Sequence, residues 1–163
     1  MIFKIKLLNH FKLLWSNLLL LIFFYVVIVA SNFSDDGLQY FLIIFLITIL
    51  PILYLHIGYF IANKGQKITL FDSGFIYEKN GKSSTILWAD VNSVDLYISG
   101  NMESGIPKLP FEVYHYVCVN NSNNNEKIII TCLMCPKLYK IVKEIHGVDI
   151  KIKRRVFCSI RRM

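Results

Sequence analysis

The chain changes its hydrophobic rhythm partway along. From Leu13 to Ala30 the run LLWSNLLLLIFFYVVIVA carries no charged residue. As a helix it would measure roughly 27 Å, close to the ~30 Å thickness of bilayer hydrocarbon. A second uncharged run, from Tyr40 to Ala62 (YFLIIFLITILPILYLHIGYFIA), is long enough to span with some tilt. Between them SNFSDDGLQ combines turn formers with Asp35 and Asp36, which predicts a short loop. Residues 1–64 therefore read as a two-helix transmembrane hairpin, with spans at about 13–30 and 40–62.

After Gly65 the period becomes two. Lys67–Phe71 alternates, Asp72-Ser73-Gly74 turns the chain, Phe75–Lys79 runs back, and Asn80-Gly81 marks a second turn. Ser84–Trp88 and Val91–Ile98 continue the pattern across Ala89-Asp90, predicting an antiparallel meander. Ser99–Pro110, with two glycines and two prolines, reads as a loop. Phe111–Asn120 and Lys127–Cys132 read as further strands joined by the polar run Asn120–Asn125, although Phe111, Val113, His115 and Val119 cannot share one face of an unbroken strand. A helix is predicted over 136–146: Pro136 suits its first turn, Gly147 follows its end, and Leu138, Ile141, Val142 and Ile145 form one apolar stripe. The lysines opposite that stripe read as its solvated face.

Composition sharpens this division. The chain is 55% hydrophobic and only 18% charged, which excludes a disordered or coiled-coil protein. Lys4, Lys6 and Lys12 precede the first apolar run, Lys64 and Lys67 follow the second, and the stretch between has no Lys or Arg. By the positive-inside rule both termini are expected in the cytoplasm of an inner membrane. A cleaved signal peptide is the competing reading, disfavoured because the apolar run exceeds a signal core and a second run follows at once. Asn17 and His56, the polar side chains within the spans, are expected to reach the headgroups, and Pro51 to kink the second helix. Two helices cannot enclose a pore, so conduction would require a homo-oligomer, and no small-residue seam argues for one.

The two apolar runs, then ITLFDSGFIY (68–77) and ILWADVNSV (86–94), resemble small bacterial two-transmembrane proteins with a PH-like domain, the YcxB-like type. The resemblance implies an open barrel of six or seven strands, over 65–147, capped by the C-terminal helix. It also implies that Trp88 anchors the corner between two strands while Asp90 forms its turn.

Little in the sequence suggests chemistry. Cys132 and Cys135 form a CxxC, but Cys118, His115, His146 and Cys158 supply no second pair at zinc spacing, and no βαβ context surrounds it. Asp72-Ser73, Glu112 and His115 belong to no nucleophile motif, and Gly100 and Gly105 to no phosphate loop. No enzyme activity and no cofactor is expected.

The remaining signal is the tail, 148–163. Lys151, Lys153, Arg154, Arg155, Arg161 and Arg162 follow Asp149 without any further acid, interleaved with Val156, Phe157 and Ile160, in a chain of net charge +7. Such a segment, held at a membrane, suits anionic lipid, and a solvated charge run is the alternative. Nucleic acid ranks below lipid, because cytoplasmic positive charge also serves topology. The expected function is a non-enzymatic membrane protein presenting its PH-like domain to a protein partner or anionic lipid. An immunity or accessory protein that neutralises a toxin at the membrane is the alternative.

Overall fold

Alternating segments become strands wherever they find a neighbour, and in this computed structural model, which describes residues 1–30, 35–121, 127–145 and 147–160, eight do so. They are β1 (Ile2–Lys4), β2 (Gln66–Phe71), β3 (Gly74–Lys79), β4 (Lys82–Leu87), β5 (Val91–Ile98), β6 (Tyr116–Asn121), β7 (Lys127–Thr131) and β8 (Ile150–Arg154). Two four-stranded sheets result, ordered β1-β2-β3-β4 and β7-β6-β5-β8. Every pairing is antiparallel except that of β8 with β5.

The meander follows from its turns. Asn80 and Gly81 both have positive φ, 51° and 81°, as a two-residue turn of right-twisted strands requires. Gly74 has another reason to be glycine: a Cβ there would lie 2.2 Å from the Ile86 carbonyl oxygen, on the strand that passes beside it. The first sheet packs Ile68, Phe75 and Ile86 against Val94, Leu96, Val117, Val119 and Ile130 of the second, and helix α4 (Leu138–Lys143) adds Leu138 and Val142. Ser73 accepts a hydrogen bond from the Trp88 N–H at its carbonyl (2.9 Å), while the Trp88 ring lies 5.3 Å from that of Phe75. Trp88 is half-buried at the rim of this core rather than inside it. Trp88→Ala is therefore expected to cost about 2 kcal/mol, below the ~3–5 kcal/mol of a fully buried aromatic, as read from thermal unfolding of the full chain in detergent.

Two long helices, α1 (Leu7–Ala30) and α2 (Asp35–Asn63), lie between β1 and β2 in sequence. Because β1 and β2 are hydrogen-bonded neighbours, both helices join the first sheet at one end. They pass one another in opposite directions: His10 meets His56 and Phe60, and Phe24 meets Phe41. Leu38–Asn63 is long and apolar enough to cross a membrane, with a mean hydropathy of 2.5. Helix α1 meets that criterion only when its arms Leu7–Trp15 and Asn17–Ala30, set at 45° to each other, are counted together.

Several boundaries differ from the sequence reading. Helix α1 starts at Leu7 rather than Leu13, and α2 at Asp35, inside the expected loop; residues 31–34 of that loop lie outside the described residues. The expected strand from Phe111 is a 3-10 turn, Pro110–Val113, and pairing begins only at Tyr116, which explains the broken alternation there. The loop Ser99–Pro110 contains a single helical turn, α3 (Gly100–Glu103), with Ser99 accepting from the Met102 N–H. Helix α4 is shorter than 136–146; His146, like residues 122–125 of the polar connection, lies outside the described residues. Within 65–147 the structure has six strands, β2–β7, as the expected six or seven require; β1, before the first helix, and β8, in the segment expected as a tail, bring the total among the described residues to eight.

Candidate functional site at the junction of helices and sheets

The second sheet has two buried faces. Alternation sends Leu96, Val117 and Val119 into the core between the sheets, and Tyr97, Tyr116 and Cys118 to the opposite face. On that face lie Ile52, Leu55 and Tyr59 of α2 and Leu13 of α1. Tyr59 is fully buried, edge-on to Tyr114 and Tyr116, and its hydroxyl donates to the Cys158 carbonyl (2.7 Å). Asn63 closes the joint like one more strand: its amide donates to the Ile129 carbonyl (2.7 Å), and its oxygen accepts from the Thr131 N–H (3.0 Å). These are backbone groups on the free edge of β7, costly to leave unpaired when buried. Asn9 of α1 likewise donates to the Leu133 and Met134 carbonyls. His56, expected at the headgroups, lies between His10 (2.7 Å) and the Tyr114 hydroxyl (2.9 Å).

The six basic residues singled out in the sequence do not form one patch. Lys153 pairs with Asp95 at 2.7 Å, a hydrogen bond that raises the lysine pKa. Arg154 pairs with Glu103 (2.8 Å), whose carboxyl is held below its usual range chiefly by that hydrogen bond. Lys151 reaches Asp149 (3.3 Å), and the Arg155 guanidinium lies 4.8 Å from the centre of the Tyr97 ring. Arg161 and Arg162 lie outside the described residues. Within the expected tail 148–163 the structure corrects residues 150–154: Ile150-Lys151-Ile152-Lys153-Arg154 is an edge strand parallel to β5, and Tyr97↔Lys153 register brings the lysine to the acid on the same face. Sequence separation hid the acids that neutralise it.

The basic patch that the fold does assemble lies on the first sheet. Strand pairing aligns Lys4 with Lys67, Gln66 with Lys79, and Lys79 with Lys82, so all four lysines gather at the end of the first sheet where α1 leaves and α2 arrives. Lys6 and Lys64 lie in the two connections. Glu78 binds Lys67 at 2.8 Å, while Lys4, Lys6, Lys64, Lys79 and Lys82 make no ion pair with a described residue and are exposed. An open cleft of about 720 Å³ lies between Lys79, Lys82 and Ser83 on one side and Ala62 and Ile129 on the other. Its chemistry suits a phosphate-bearing surface: several cations, hydroxyls, and an apolar helix beside them. Lys4, Lys6, Lys64 and Lys67 were visible in the sequence as topology signals, but Lys79 and Lys82 join them only through the β3–β4 turn.

The reactive residue types are committed to structure. Burial pushes the Cys132 thiol up to about 12 and also raises that of Cys135, so neither favours thiolate. Burial raises the pKa of Glu112, but hydrogen bonds from the Leu109 and Lys108 N–H groups and the Asn101 amide outweigh it and leave the carboxyl below its usual range. That carboxylate organises the loop leading to the 3-10 turn. His115 is fully buried, donates from Nδ1 to the Val113 carbonyl (2.8 Å), and meets Tyr139 of α4 edge-on. No group of three or more His, Cys, Asp or Glu capable of holding a metal occurs among the described residues. No protein-family model, curated protein or solved structure matches the chain.

Proposed function

We propose that this chain is a non-enzymatic integral membrane protein whose β domain holds anionic lipid headgroups against the base of its own membrane anchor. In this reading α1 and α2 form a transmembrane hairpin, both termini are cytoplasmic, and the two sheets with α4 make a PH-like open barrel. The observation that carries it is the convergence of Lys4, Lys64, Lys79 and Lys82, without acidic partners among the described residues, at the end of the sheet from which both apolar helices depart. Each lysine near an anionic surface contributes about 1 kcal/mol, so four give roughly 4 kcal/mol before screening. The acids facing the basic residues of β8 leave that strand with less charge to offer.

The test uses the full chain in vesicles of phosphatidylcholine and phosphatidylglycerol, each spin-labelled in turn. The expected result is a larger immobilised fraction for phosphatidylglycerol, reduced by Lys79→Gln with Lys82→Gln and by raised salt. Both lysines are exposed, so the fold survives the change. Equal immobilisation of the two lipids, or indifference to the substitutions, would overturn the lipid assignment.

A further inference from the structure

The membrane reading above, on which this inference rests, leaves a mismatch in length. The contacts of His10 with His56 and of Phe24 with Phe41 bring Pro51 of α2 opposite the bend of α1 between Trp15 and Asn17. Below that level Ile52, Leu55 and Tyr59 pack on the second sheet. Above it, Leu38–Pro51 and Asn17–Ala30 each provide only about 21 Å of helix, against ~30 Å of hydrocarbon. Counting ~30 Å from Leu38 reaches about Ile57, past the point where the β domain begins to touch the helix.

At that overlap the domain presents an apolar edge. Phe157 stacks on Tyr54 of α2, with centroids 6.0 Å apart and planes at 21°, and meets Phe111 edge-on. Val156 remains 66% exposed and Phe157 36% exposed. With Leu50 and Pro51 they border a groove of about 550 Å³ that is apolar along its walls and open to the side. Arg155 precedes this edge, with its guanidinium on Tyr97 and no ion pair to a described residue.

We infer that the Phe111–Val156–Phe157 edge of the β domain is sunk into the acyl region of the bilayer, with a phospholipid chain occupying its groove on α2. Hydrocarbon then covers the missing length of both helices, and Arg155 reaches back toward the phosphates as long cationic side chains do at interfaces. The occupant is lipid rather than a protein segment because one wall of the groove is the membrane helix itself, at a depth its length requires to be apolar.

The experiment labels single cysteines with an environment-sensitive fluorophore in the full-length Cys135→Ser background, where Cys118, Cys132 and Cys158 are buried. Val156→Cys tests the edge, Leu46→Cys in α2 reports the span, and Asp72→Cys, exposed in the β2–β3 turn at the end of the first sheet opposite the lysines, reports the aqueous phase. Vesicles of phosphatidylcholine and phosphatidylglycerol carry a spin-label quencher at acyl carbon 5. The expected result is loss of most fluorescence at positions 156 and 46 and none at 72. Quenching at 46 with fluorescence at 156 retained and open to aqueous iodide overturns the inference alone. A label at 46 that behaves like the one at 72 overturns the membrane reading, and the inference with it.

Discussion

Tyr59→Ala is expected to uncouple the helices from the second sheet and to destabilise the β domain by about 3–5 kcal/mol, a large part of a small domain's stability. Tyr59 has no exposed surface, and its ring fills the space between Tyr114 and Tyr116. Removing it leaves a cavity where α2 crosses the sheet and also frees the Cys158 carbonyl, which the hydroxyl holds at 2.7 Å. Tyr59→Phe separates the two effects: it keeps the ring and removes one hydrogen bond, for an expected cost of about 1 kcal/mol. Thermal unfolding of the full chain in detergent checks both, and limited proteolysis after Cys158 should accelerate in the alanine variant. Equal stability of all three proteins would show that the helices and the sheet are held together elsewhere.

The second large effect is acid lability. Burial holds the His115 pKa at about 4, below the ordinary 6.5, because the imidazole is enclosed by α4 and the strand start. The unfolded chain therefore binds a proton through pH 6.5 while the folded chain remains neutral there. Stability from this group is complete above pH 6.5 and is lost as pH falls toward 4, by about 1.4 kcal/mol per unit, or about 2 kcal/mol by pH 5. Glu103 and Glu112 have lowered values, so their losses begin only below the ordinary carboxyl value of 4.5. Between pH 6.5 and 5, His115→Phe should flatten the dependence of unfolding temperature on pH, whatever its effect at pH 7.5. An unchanged slope would assign the acid sensitivity to another group.

Particular residues show what is legible in the sequence and what is not. The segments 67–71, 75–79 and 91–98 lie within the strands observed, because their side chains alternate and their turns are marked by Asp72-Ser73-Gly74 and Asn80-Gly81. The same alternation was present in Ile150-Lys151-Ile152-Lys153, but five charges within a short stretch after Gly147 read as a tail. Its neutralising acids, Asp95 and Glu103, lie 58 and 51 positions away. Strand β1 was too short to show a period, and it becomes a strand only because β2 offers an edge. Asn63 ended an apolar run and carried no pattern of its own, yet it joins α2 to β7.

Local order in the chain determined the apolar helices, the meander, its turns and the basic flanks, since each is a matter of period or of neighbours within a few positions. Only the tertiary structure decided which charges remain without an acid among the described residues, that Trp88 sits at the rim of the core, that His56 meets His10 and Tyr114, and that Tyr59 packs on the second sheet. The physical reason is the same in each case. An ion pair, a buried ring or a covered strand edge depends on groups that strand pairing and helix docking bring within about 3–6 Å from far along the chain, and no local periodicity encodes that meeting.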